Sequence, residues 1–449
     1  AHRALTYFQN DERDITKPAF AFQIDQKWAF EPAVDFVQQH FATSDSASLL
    51  HKALLIYQNL LAFHLHDANT DALLDADLLR LQFMKQYAVM PGKDELYRDA
   101  LDHLTTQYQN QPAASQAWSL LAQFYFEKGG AYDPAKGDDR YKYAYRIAKE
   151  ICEKTIRNLP ETEGAINCQN LLSQILRPSA QLQTEKVNLP DQPFRTLVSY
   201  NNFNTLYLRL IKLNKSLKDQ LQNRSDEAYW KKLQSLSPIR SWQQALPPSN
   251  DFRSHSVEIK IDPLPVGEYA LLTSATADFN LEKNPLAIQY FYVSNISYTS
   301  NGNDYFALHR ETGKPLSNAA IQIWSLKYDY NNRKNSLQKA ENLTADSNGF
   351  FRIQSKSKSQ RNIRLEINWE NDHLFMDDYQ YSLFYYRDPS DQLTAKNYEQ
   401  KNARVYLFAD RSIYRAGQLL FYKGIGITKD SITHKPRIIR SKDSIEVDL

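Results

Sequence analysis

Histidines, cysteines and paired carboxylates are the side chains of this 449-residue chain that could do chemistry, so their spacing comes first. His64-x-His66-Asp67 is the one close histidine cluster. At i and i+2 on a helix the two imidazoles point to different faces, and no third ligand stands nearby in sequence, so the pattern reads as solvated helix surface rather than a metal site. His103, His255, His309, His373 and His434 are scattered, and neither a Gly-x-Ser-x-Gly elbow nor a Gly-rich phosphate loop accompanies them. The acid pairs Asp138-Asp139 and Asp377-Asp378 sit in polar loops, where nothing supplies the burial that would raise a carboxyl pKa into the general-acid range. No residue is assigned to catalysis, to a metal or to a cofactor, so the chain is not expected to be an enzyme.

Cys152 and Cys168 are the two cysteines. Two thiols exclude both a disulfide-dense scaffold and a cysteine-rich zinc site built from this chain. They lie 16 residues apart in consecutive expected helices. In an oxidising compartment they can bridge; as buried, unpaired thiols they would act as small hydrophobes. The spacing leaves both open.

Charge narrows the partners. With 54 basic and 52 acidic residues the formal net charge is +2, which gives no electrostatic case for nucleic acid or an anionic membrane. No window approaches the roughly 18 consecutive apolar residues of a membrane span. The start, AHRALTYFQNDERD, lacks a basic-then-apolar signal segment, so export would be coded ahead of Ala1. Aromatic content of 12% against only 12 Gly suits packed sandwiches and helices better than flexible linkers.

The elements that would hold these residues change character along the chain, and length alone gives a soft prior of about three domains. Residues 1–45 hold Trp28, several Phe and scattered prolines without a period, so an irregular lead is expected. Residues 46–180 read as a helical array. Leu50, Leu54, Tyr57 and Leu61 share one face behind the capping candidates Ser44 and Asp45. Leu74, Leu78, Leu81 and Ala88 mark a second helix ending at Pro91-Gly92, and Leu96, Ala100, Leu104 and Tyr108 a third. A fourth runs from Ala113 through Trp118, Leu121 and Tyr125 to Gly129-Gly130, and two more are broken at Pro160. Short helices joined by short turns imply antiparallel neighbours. Ala144, Ala148 and Pro160, with AWSLLAQFYFEKG upstream, resemble a tetratricopeptide-type pair, which implies an α-solenoid-like domain whose surface either docks a partner or packs a neighbouring domain.

After Pro178 the period becomes two. Leu206, Leu208 and Leu210 alternate with Tyr207, Arg209 and Ile211, and Val257, Ile259, Ile261 and then Ile288, Tyr290, Tyr292 repeat the habit. An antiparallel sandwich is expected over 181–300, with a helical insertion over about 215–247 that carries Leu217, Leu221, Tyr229, Leu233 and Leu236. A second sandwich is expected over 301–400. Its turns Thr312-Gly313-Lys314-Pro315-Leu316 and Asp346-Ser347-Asn348-Gly349 have a mechanism, because Gly313 and Gly349 accept positive φ and Asp346 and Asn348 can bond their own backbone. From 401 a third sandwich begins; the remaining residues fall short of the roughly 100 that a sandwich needs, so a longer parent protein is expected.

Two apolar alternations, Val405 to Ala409 and Leu419 to Ile427, flank Asp410-Arg411-Ser412-Ile413-Tyr414-Arg415-Ala416-Gly417-Gln418. This segment resembles the Asp-Arg/Lys-x-x-Tyr-Arg/Lys-Pro-Gly-Gln/Glu signature that opens a sandwich domain in the α2-macroglobulin family. Ala416 departs from the family's Pro. The resemblance implies macroglobulin-type, immunoglobulin-like sandwiches after the helical domain, with Asp410, Arg411, Tyr414, Arg415, Gly417 and Gln418 as a structural turn motif. It also implies the N-terminal scaffold of a bacterial protease trap, exported to the periplasm or cell envelope, with proteases as partners of the full-length protein. The family's covalent reaction uses a thioester within Cys-x-Glu-Gln. Cys152 is followed by Glu-Lys-Thr and Cys168 by Gln-Asn-Leu, so neither fits. The alternative is a non-trapping envelope or surface protein whose helical repeats and sandwiches bind a protein partner.

The turn motif generates a prediction. Gly417→Val should destabilise the last unit by more than the roughly 0.5 kcal/mol of an ordinary surface change, because a β-branched residue is strained at positive φ. Ala416→Pro should stay within about 1 kcal/mol, neutral or stabilising, by restricting the unfolded chain. Thermal melts of both variants indistinguishable from the parent would refute the turn.

Overall fold

The computed structural model describes residues 1–10, 18–214, 217, 227–282, 284–301, 303–329, 334–353, 362–376, 380–381, 404–409, 419–429 and 436–439. The chain divides into two units. The first comprises Ala1–Pro178, Asn201–Phe203 and Pro247–His255; the second comprises Ser179–Tyr200, Asn204–Leu246 and Ser256–Leu449.

The first unit is helical: α1 (His2–Phe8), α2 (Ala33–Phe36), α3 (Leu49–His64), α4 (Asp71–Tyr87), α5 (Lys93–Gln107), α6 (Ser115–Ala131), α7 (Ala144–Asn158) and α8 (Glu163–Leu176). Leu54, Tyr57 and Leu61 of α3 meet Leu74, Leu78 and Leu81 of α4, Leu101 and Leu104 of α5 and Leu121 of α6 in one core, as the 3.6-residue period requires. The cap of α3 is Ser48, whose hydroxyl accepts from His51 N at 3.2 Å, rather than Ser44 or Asp45. Asp45 instead accepts from the buried Phe22 N at 3.3 Å.

The described residues of the lead, 1–10 and 18–45, contribute more to the core than their sequence suggests. Phe22, Ile24, Phe30, Phe36 and Phe41 join the same core, and Ile24 bridges Ala88 in parallel. They show no period because the elements that carry them, such as the four-residue α2, are too short to repeat an apolar position. Arg80, 1% exposed, secures this lead. It donates to Asp77 Oδ1 at 2.7 Å and to the carbonyls of Ala29 and Glu31, and its guanidinium stacks over Phe36 at 4.4 Å. A buried charge persists where its hydrogen bonds are met in this way.

The second unit begins with β1 (Ser179–Thr184), β2 (Val187–Asn188), β3 (Phe194–Asn201), β4 (Thr205–Leu213), α9 (Glu227–Ser235), β5 (Arg240–Ala245), β6 (His255–Ile261), β7 (Gly267–Ser274) and β8 (Ala287–Val293). A three-stranded sheet runs β1-β3-β6 and a five-stranded sheet β2-β8-β7-β4-β5. The helical insertion is shorter than the expected 215–247, since β5 pairs antiparallel with β4 from Leu210↔Arg240 to Thr205↔Ala245. Its polar sequence hides a strand because an edge strand buries neither face fully.

The five-stranded sheet is covered on both faces. On one, Tyr269 stacks on Phe291 at 5.7 Å and Phe291 meets the edge of Phe194 from β3 at 5.3 Å. On the other, Ile211, Ala270 and Leu272 pack against Tyr229 and Leu233 of α9. Hence Tyr269 to Ser274 is buried without alternation, as a strand with two covered faces must be.

A second pair of sheets follows, built from β9 (Ile296–Asn301), β10 (Asp304–His309), β11 (Ala320–Asp329), β12 (Lys334–Thr344), β13 (Phe350–Arg352), β14 (Asn362–Trp369), β15 (Asp372–Phe375) and β16 (Gln380–Tyr381). Their orders are β13-β10-β9 and β12-β11-β14-β15, with β16 on β14. Ile296, Tyr305, Ala307, Ile321, Ile323, Leu365 and Ile367 fill the space between them. The turns take the expected form: Gly313 has φ +68 and Gly349 φ +73, and Asp346 Oδ1 accepts from Asn348 N at 2.8 Å and Phe350 N at 2.9 Å. A last sheet contains β17 (Arg404–Ala409), β18 (Tyr422–Lys429) and β19 (Pro436–Ile438).

The two turn glycines should not be equivalent. A Cβ at Gly313 meets open space, whereas one at Gly349 lands on the Ala307 carbonyl oxygen. Gly313→Ala should cost about 1 kcal/mol through φ alone, and Gly349→Ala more than about 2 kcal/mol. Urea unfolding of both checks the order, and equal costs would contradict the clamp.

Candidate functional site

The sequence-derived positions are distributed rather than gathered. Asp410, Arg411, Tyr414, Arg415, Gly417 and Gln418 lie outside the described residues, as do Asp377, Asp378 and His434. The strands that flank the turn motif are described, and β17 pairs antiparallel with β18 from Arg404↔Ile427 to Ala409↔Tyr422. At the end of α3, His64 Nδ1 lies 2.6 Å from Asp67 Oδ2, a local i,i+3 contact. Asp138 holds Arg140, with Oδ2 2.7 Å from Nη2, and Asp139 accepts from the Tyr132 hydroxyl at 2.6 Å. Those hydrogen bonds draw both carboxyls below their usual range, the opposite of what a general acid needs. Among the described residues no group of three or more His, Cys, Asp or Glu is placed to hold a metal ion.

Cys152 and Cys168 do come together. Both are fully buried free thiols in one cluster with Ala122, Ala148, Leu171 and Ile175. Their side chains hydrogen-bond each other; that bond, followed by burial, pushes the Cys152 thiol well up, while the same bond and one with Thr155 draw Cys168 down. Two adjacent facing thiols cannot both ionise in an apolar cluster.

A cleft of about 770 Å³ in the second unit is a feature that sequence periodicity does not reveal. Residues from β2, β3, the turn after β10 and the β17/β18 pair line it, among them Asn188, Arg195, Arg310, Glu311 and Lys423. Its charges are largely answered within the chain: Arg195 Nη1 meets Glu258 Oε2 at 2.5 Å, and Gln192 donates to Glu311 at 3.0 Å. Arg310 donates to Ile296 O at 2.8 Å. Burial draws its pKa down against the opposing charges of Glu185 and Asp372. Asp372 in turn accepts from Asn295 N at 2.6 Å. His309, also on the lining, accepts from Thr312 N through Nδ1 at 3.4 Å. This arrangement joins strands and fixes turns.

Comparisons with known proteins are mixed. No family model and no curated protein matches the chain. Among solved structures, it is similar to native α2-macroglobulin from Escherichia coli spanning domains MG0-NIE-MG1, at 18% identity and TM-score 0.32, over 45% of this chain and 64% of that one. It is also similar to the native conformation of E. coli α2-macroglobulin, at 16% identity and TM-score 0.25, over 57% of this chain and 16% of that one. A CARDB domain from Pyrococcus furiosus, solved with di-metal ions, is matched at 10% identity and TM-score 0.16, over 26% of this chain and 86% of that one. The chain thus spans under two thirds of the first structure's length. Two of these three solved structures are of a bacterial α2-macroglobulin, the family whose signature the segment from Asp410 to Gln418 resembles.

Proposed function

We propose that this chain is the N-terminal scaffold of a bacterial α2-macroglobulin-like protease-trapping inhibitor, exported to the periplasm or cell envelope. The carrying observation is the Asp410 to Gln418 signature, set between two strands that pair in register and placed after two sheet pairs. The scaffold's part in trapping is to hold a bait segment and a thioester region of the parent protein, and to move with them when cleavage releases the native arrangement. The chain itself hydrolyses nothing: neither cysteine stands in Cys-x-Glu-Gln, and both are buried. Its helical unit serves as an α-solenoid-like docking surface with tetratricopeptide kinship, open to an envelope protein partner.

The test incubates this chain and its full-length parent separately with a general protease. Each is then examined for a heat- and detergent-resistant conjugate, with a methylamine-treated control. The proposal expects conjugate from the untreated parent alone. A conjugate formed by this chain would sink the scaffold role. A parent that forms none, and leaves protease activity on large substrates undiminished, would favour a non-trapping envelope-binding protein.

A further inference from the structure

Helices α7 and α8 are joined through residues 159–162, and Cys152 and Cys168 each lie eight positions from Pro160. In an antiparallel helix pair, residues equidistant from the turn lie at the same level along the two helices. Here both cysteines are 0% exposed and belong to one small apolar cluster. Ala148 of α7 and Ala122 of the neighbouring α6 share their cluster, so small side chains surround the two thiols. A pair of free thiols held face to face between packed helices is the geometry that a disulfide needs.

We infer that Cys152 and Cys168 form a disulfide that staples α7 to α8 when the chain folds in the presence of a disulfide oxidant. One cysteine thiolate attacks a sulfur of the oxidant and expels its first thiolate, giving a mixed disulfide. The second cysteine then attacks the protein sulfur of that mixed disulfide and expels the other oxidant thiolate. Two protons and two electrons pass from the protein to the oxidant, which leaves as two thiols. Since both sulfurs are sealed in the finished core, exchange occurs before α8 docks, and the completed bridge is shielded from reductant.

The test refolds the full chain with glutathione disulfide or with a thiol reductant, counts thiols in denaturant and maps peptides without reduction. Glutathione disulfide should leave no titratable thiol and yield a cross-linked peptide pair containing Cys152 and Cys168. The bridged chain should melt several degrees above the reduced one. Cys152→Ala, Cys168→Ala and the double variant should melt at one temperature with or without reductant; the thiol count on the unaltered chain stands even if they fold poorly. Two free thiols, or glutathione adducts without a cross-link, would overturn the staple. So would a melting temperature that reduction leaves unmoved.

Discussion

The second unit rests on a single constraint: β7 is the central strand of a sheet whose two faces must both be kept from water. Its residues from Tyr269 to Ser274 are buried in succession, so each needs a partner above or below. Leu271 lies opposite Leu210, and Tyr269 stacks on Phe291 toward the three-stranded sheet. Ala270 and Leu272 require α9, which arrives as an insertion between β4 and β5 and is tied back by the Tyr229 and Tyr290 hydroxyls at 2.8 Å. Each large apolar side chain buried this way contributes on the order of 1.5–3 kcal/mol. Without α9 the outer face of β7 and β4 would be an exposed apolar patch of the kind that promotes association.

Charge inside the two units follows from the same economy of burial. Arg80 is almost fully enclosed, and its donors find Asp77 and two carbonyls of the lead segment. Arg310 and Asp372 play a comparable part between strands, each bound to backbone of the segment around Asn295 and Ile296. Arg80 finds partners for its donors, whereas Arg310 Nε and Asp372 Oδ1 stay buried without a hydrogen-bond partner among the described residues.

Much of this was legible from period and turn chemistry, because both act locally. The helices α3 to α6 and the strands β4, β6 and β8 announce themselves through repeating apolar positions, and Gly313 and Gly349 through the φ their turns demand. What escaped reading depends on partners distant in sequence. The lead's aromatics dock individually, β5 is a polar edge strand, and Ser48 rather than Asp45 caps α3 because Asp45 is engaged by Phe22. Gly164 matters only because Ser115 lies against it. One signal was present and local: Asp77 and Arg80 sit at i and i+3 within an otherwise apolar helix face, the mark of a buried pair. The cleft, assembled from β2, β3, the turn after β10 and the β17/β18 pair, has no local signature.

Native-state hydrogen exchange across the second unit tests the central claim most directly. If double burial of β7 holds the unit together, the amides from Tyr269 to Thr273 should exchange only through its global unfolding, more slowly than those of β17, whose side chains are largely exposed. Exchange of β7 through local opening, at rates like those of β17, would contradict the account.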